Sequence, residues 1–182
     1  MRDLRRYYVD GGTYFFTVVT HERKGFLCDS YSRECLGRAI KHTPKSYPFG
    51  IVAWVLLPDH LHCIWKLPEG DRDFSTRWRL IKKNYSYLVK SRLEADGDFR
   101  DSLTKKRELG IWQRRFWEHC IRNEGDLVRH FDYIHWNPVK HGLVERVSQW
   151  PWSTYHKYLR LRYYDGDEQV FDFEAHGDIG HE

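Results

Sequence analysis

Leu56-Leu57-Pro58-Asp59-His60-Leu61-His62-Cys63-Ile64-Trp65 sets an apolar run on either side of a Pro-Asp turn. The stretch reads as a hairpin of two antiparallel strands, Phe49 to Leu57 and His60 to Leu67. Successive side chains on a strand point to opposite faces. His60 and His62 therefore share one face, about 7 Å apart along the strand at roughly 3.3 Å per residue. Leu61 and Cys63 enter a core on the other face. Two imidazoles so placed suit one divalent cation. By itself, H-x-H is also accounted for by solvated or hydrogen-bonded histidines.

Working outward, Phe49 to Leu57 is so largely apolar that a central strand is expected. Before it, Thr13-Tyr14-Phe15-Phe16-Thr17-Val18-Val19-Thr20 is a β-branched and aromatic run, hence a strand. Asp29 or Ser30 is placed to cap a helix running to about Thr43, which Pro44 and Pro48 end. After the hairpin, Phe74, Trp78, Ile81, Tyr85 and Leu88 mark the buried stripe of a helix from about Phe74 to Leu93. Its other faces carry Arg77, Arg79, Lys82, Lys83, Lys90 and Arg92. Residues 94–110 are polar and charged, a loop. Ile111 to Ile121 reads as a fourth strand. The order β-α-β-β-α-β implies an α+β fold, a ferredoxin-like (RRM-like) antiparallel sheet with helices on one face and the other face left for a ligand.

The charge is unevenly distributed. Asp165 to Glu182 holds seven acids and no Lys or Arg, so residues 1–164 carry 30 basic against 19 acidic residues. A single domain over residues 1–160 with an acidic tail from 161 to 182 is expected, the basic body facing a polyanion. Eight Trp and twelve Tyr, many beside Arg or Lys, suit stacking on unpaired bases with phosphate neutralisation. Arg5-Arg6, Gly11-Gly12, Lys82-Lys83, Arg114-Arg115 and Lys140 are the candidate DNA contacts. Gly11-Gly12 also fits a plain turn before a strand. Cys28, Cys35, Cys63 and Cys120 show no C-x-x-C pair, which argues against a zinc ribbon or a disulfide framework and fits the cytoplasm. No apolar run approaches the roughly 18 residues of a membrane span.

Asn123-Glu124-Gly125-Asp126 opens another helix, with Asn123 as cap, and Pro138 is expected to stop it at Asn137. Leu127, Phe131 and Ile134 form its core stripe. Asp126, His130, Tyr133 and Asn137 form a second stripe about a quarter-turn away, expected at the rim of the packed surface. Tyr133 and Asn137 stand one turn apart, about 6 Å between Cβ atoms. Two imidazoles and a carboxamide make three metal ligands beside a tyrosine nucleophile. His130, one turn before Tyr133, and Lys140, beyond the expected end of the helix, are placed to assist the tyrosine, or to serve packing and phosphate contact instead.

The chain resembles the REP-associated tyrosine transposases, a branch of the single-tyrosine HUH nucleases. The resemblance runs through Arg5-Arg6-Tyr7-Tyr8, Gly11 to Val18, Ala53 to Trp65, Ile111-Trp112-Gln113, Arg115 to His119, Asp132 to Gly142 and Trp150 to His156. It implies an HUH core in which His60, His62 and Asn137 hold Mg²⁺ or Mn²⁺ and Tyr133 attacks single-stranded or hairpin DNA of REP type. It also implies a monomer, in which Tyr133 serves the histidines of its own chain. Two readings compete: a non-catalytic single-stranded nucleic-acid binding module, and a metal phosphodiesterase that activates water.

Overall fold

A computed structural model describes residues 7–43, 46–95, 110–166 and 179. Arg5 and Arg6 lie outside them, as does all of the acidic tail beyond 166 except Ile179. The first six elements follow the expected order: β1 (Thr13–Val19), α1 (Ser30–Lys41), β2 (Gly50–Leu56), β3 (His60–Lys66), α2 (Phe74–Ala95) and β4 (Trp117–Cys120). Then come α3 (Glu124–Lys140) and a short α4 (Tyr155–Arg160). The four strands form one antiparallel sheet in the order β2-β3-β1-β4. No described helix is long and apolar enough to cross a membrane.

Alternation in β1 assigns the two faces. Tyr14, Phe16 and Val18 point to a core built with Cys35, Leu36 and Ala39 of α1 and with Phe74, Trp78, Ile81 and Tyr85 of α2. Leu61 and Cys63 join it, as the hairpin predicts. Asp29 caps α1, its carboxylate accepting from the backbone N–H groups of Tyr31 and Ser32. Phe15 points the other way, into a second core with Ala53, Val55, Ile64, Phe131, Ile134 and Tyr155. The sheet therefore has helices on both faces, not one. The face expected to stay open is covered by α3, whose Phe131, Ile134 and Trp136 each contribute on the order of 1.5–3 kcal/mol by burial. Packing on this face continues to Tyr164, past residue 160.

Three further expectations are corrected. The strand Gly50–Leu56 is an edge, not a central strand. It is apolar because both of its faces are covered and its outer edge is capped. Trp54 N–H donates to Thr154 Oγ1 at 2.9 Å, and Trp54 C=O accepts from Thr154 N–H. Leu56 N–H donates to Trp152 C=O, and Leu56 C=O accepts from the Trp150 indole at 2.9 Å. Val52, the extra residue of a bulge, accepts from the Tyr158 hydroxyl at 2.6 Å.

Ile111 to Ile121 is not one strand. Trp112 bridges Thr20, the exposed Arg114 and Arg115 leave the sheet, and pairing with β1 resumes only over Trp117–Cys120. Pro138 does not end α3, which runs to Lys140. Proline removes one backbone donor from the helix, but Trp136, Asn137 and Pro138 are all buried. The helix stops instead at Gly142 (φ +65°), where Gly142 N–H donates to Val139 C=O and Leu143 N–H to Pro138 C=O.

Candidate active site

The face under α3 gathers the residues that the sequence singles out. His60 and His62 share that face of β3, with ring centroids 4.9 Å apart. Tyr133 of α3 lies edge-on to His62 at 5.3 Å. Asn137, one turn further along α3, is fully buried. The Asp126–His130–Tyr133–Asn137 stripe is therefore not at a rim: all four residues are buried, Tyr133 with 2% of its surface exposed. The reason is the sheet beneath it, since covering a second sheet face needs a broader helix surface than one apolar stripe provides.

Neighbouring polar groups orient both imidazoles. His60 Nδ1–H donates to Asp59 Oδ1 at 2.6 Å, since a carboxylate only accepts. Burial alone would raise the Asp59 pKa, but the hydrogen bonds and charges of His60 and Arg23 bring it down to about 2. His62 Nδ1 lies 3.0 Å from Thr17 Oγ1, directly across the β1–β3 ladder. With Nδ1 held in this way, Nε2 is the atom of each ring that would meet a cation, the arrangement that metal-bound histidines adopt. The donor set thus fits a divalent cation. His141, at the end of α3, adds a ring 5.1 Å from that of His60, a neighbour that helical spacing from Asn137 would have revealed.

Lys140 is the most consequential placement. It is seven residues beyond Tyr133, two turns along the same stripe, and its Nζ donates to Tyr133 Oη at 2.9 Å. The same nitrogen lies 4.8 Å from the Tyr133 ring centroid. His130 is turned away from such a role. Its Nδ1 lies 2.8 Å from the Asp126 main-chain oxygen, and burial lowers its pKa.

The other candidates disperse. Arg114, Arg115 and Lys83 are exposed. Lys82 donates to Gln113 C=O at 2.8 Å, tying α2 to the segment before β4. Arg77, placed by spacing on the basic outer face of α2, is instead fully buried and paired with Asp71 at 2.5 Å. Since α2 packs on the opposite face of the sheet, its basic residues and the histidine pair are on different sides. Gly11 has φ +61° and donates to Asp71 C=O. A Cβ on Gly12 would stand 2.7 Å from the Tyr14 ring. The fold itself thus accounts for both glycines.

No protein-family model matches the chain. Over 177 residues it is 45% identical to a REP-associated tyrosine transposase of Escherichia coli, with 96% of each protein covered. It also matches the solved structure of a REP-associated tyrosine transposase bound to a REP hairpin, with 46% identity, a TM-score of 0.77 and 96% of both chains covered. Likeness over this length makes the chain a transposase homologue. It belongs to the REP-associated tyrosine transposase family.

Proposed function

We propose that this chain is a metal-dependent endonuclease and strand transferase with a ferredoxin-like HUH core. It cuts and rejoins single-stranded or REP-type hairpin DNA through a covalent 5′-phosphotyrosine. The carrying observation is Tyr133 set against His62 within one chain, with the Lys140 ammonium on its hydroxyl. The hairpin follows the solved relative, which is bound to one.

His60, His62 and Asn137 would hold Mg²⁺ or Mn²⁺. A cation bound there polarises the scissile phosphate and offsets charge growing on its oxygens. Tyr133 Oη attacks phosphorus, the P–O3′ bond breaks, and the 3′ oxygen takes up a proton as the phenol loses one. A free tyrosine hydroxyl, with a pKa of about 10, is ionised only about once in a thousand at neutral pH. The Lys140 hydrogen bond favours the phenolate. Asp59 and Thr17 keep the two rings from rotating. The phosphotyrosine retains the energy of the phosphodiester, so a 3′ hydroxyl reverses the step without ATP. A tyrosine that meets its own chain's histidines supports action as a monomer.

The test is incubation with labelled hairpin DNA and Mn²⁺ or Mg²⁺ followed by a denaturing gel. A covalent adduct absent from Tyr133→Phe is expected. Cleavage that survives the substitution would point to activated water, and binding without cleavage in either metal would reduce the chain to a binding module.

A further inference from the structure

The tyrosine helix begins at a second cluster of metal-ligating side chains. Phe15 stands opposite His119 across the β1–β4 ladder, so His119 projects from the face that α3 covers. Asp126 and His130 are one turn apart at the start of α3 and meet it there. Spacing of i, i+4 aims two side chains of a helix at a common point. His119 Nε2 lies 2.8 Å from Asp126 Oδ2, and His130 Nδ1 lies 3.1 Å from Asp126 Oδ1. The two imidazoles stack with centroids 4.4 Å apart and planes at 12°. One ligand atom from each of the three residues lies within 4.8 Å of the others.

We propose that His119, Asp126 and His130 form a second divalent-cation site, selective for a borderline ion such as Zn²⁺. Ligand atoms around a tetrahedral zinc, each about 2.0–2.1 Å from the metal, stand roughly 3.3 Å apart. The two rings approach different oxygens of Asp126, at 2.8 and 3.1 Å, so the carboxylate turns one oxygen between them and the ring nitrogens, within 4.8 Å of each other, close by up to about 1.5 Å. Two imidazoles with one carboxylate favour zinc or cobalt over magnesium, which prefers an all-oxygen octahedron. The carboxylate is already placed: Arg122 N–H donates to Asp126 Oδ2 at 3.0 Å, and the Asp126 side chain is 7% exposed. His119, at 21% exposed, is where solvent reaches the cluster.

Binding replaces the ring-to-carboxylate hydrogen bonds and releases their protons, so affinity falls as pH falls. His130 must also give up its bond to the Asp126 main-chain oxygen. Arg129, 3.6 Å from Asp126 Oδ1 and 51% exposed, must swing outward.

This site is distinct from the histidine pair on β3. The Phe15 ring lies between them, 5.0 Å from His130 and 5.4 Å from His62. It also touches Tyr133 at 6.0 Å. An ion here pins the first turn of α3 to β4, fixing the helix that carries the tyrosine.

Zn²⁺ alone is the probe, titrated into the full metal-free chain and read by calorimetry and thermal melting. In a His60→Ala/His62→Ala background, one Zn²⁺ per chain is expected to remain and to raise the Tm. Adding His119→Gln should weaken that binding by more than about 100-fold, beyond the loss typical when only a group supporting a ligand is removed. No Zn²⁺ bound in the double variant, or binding unchanged by His119→Gln, would overturn the proposal. Because core substitutions can disturb folding, ring-nitrogen NMR of the unsubstituted chain is a second reading. His119 and His130 signals should shift together within the first two equivalents of Zn²⁺, and signals unmoved after both would refute the site.

Discussion

Replacing Lys140 with methionine keeps an unbranched side chain one atom shorter and removes the charge 2.9 Å from the Tyr133 hydroxyl. A hydrogen bond to a charged group contributes about 1.5–3 kcal/mol. That preference acts on the phenolate that forms as the attack proceeds, more than on the neutral phenol. At about 1.36 kcal/mol per tenfold in rate, adduct formation near neutral pH should slow by roughly 10- to 150-fold. The assay is single-turnover cleavage of a labelled hairpin, with enzyme in excess, from about pH 7 to about pH 9.5. Lys140→Arg, which restores a cationic donor, should recover most of the rate. DNA affinity measured without metal should stay within a few-fold of the parent. If Lys140→Met cleaves at the parent rate throughout, the contact plays no part in the chemistry. If affinity falls by the same factor as rate, Lys140 is a phosphate contact and its bond to Tyr133 is incidental.

Two further outcomes concern stability. Burial depresses the His135 pKa to about 3, against about 6.5 in an unfolded chain. The neutral ring bridges Tyr164 and Thr154 at 2.8 Å each. Its contribution is complete above about pH 6.5 and is lost as pH falls toward 3. Between pH 7 and pH 5 the parent should lose about 2 kcal/mol more than His135→Gln in urea melts, and equal losses would contradict this assignment. Arg77→Met should destabilise by about 3 kcal/mol, because it leaves Asp71 and the Pro48 carbonyl without their buried cation. Arg79→Ala, on the exposed side of α2, should leave the Tm unchanged, and a similar loss in both would show that burial is not the cause.

Periodicity exposed what depended on one element at a time. Alternation through His60-Leu61-His62-Cys63 assigned each residue to its face, and the 3.6-residue repeat put Tyr133 and Asn137 on one side of α3, while Lys140 joined them only because the helix runs on past Pro138. What it did not expose depended on neighbours. An apolar strand reads as central whether its edge is paired with a strand or capped by a loop, so Gly50–Leu56 was misplaced. The rim position expected for Tyr133 failed because nothing in α3 alone says that a second sheet face lies below it. Arg77 sits on the polar side of a helical wheel, yet the Asp71 carboxylate just before the helix and the distant Pro48 carbonyl draw it inside. His119 carried no local pattern. Only the β1–β4 register sets it opposite Phe15 and beneath Asp126.

The capped edge at β2 also governs how copies of the chain meet. The outward-facing donors and acceptors at Val52, Trp54 and Leu56 are engaged by residues 150–158. An exposed edge is a template on which another chain's strand adds and the sheet lengthens without limit. This protein closes that side with its own chain, so a neighbour has no ladder to extend there. Thr154 joins the same cap to His135 of α3. Severing the chain just before Trp150 would therefore do two things at once: it would unlatch the tyrosine helix and leave a sticky strand, turning the chain into a seed for aggregation.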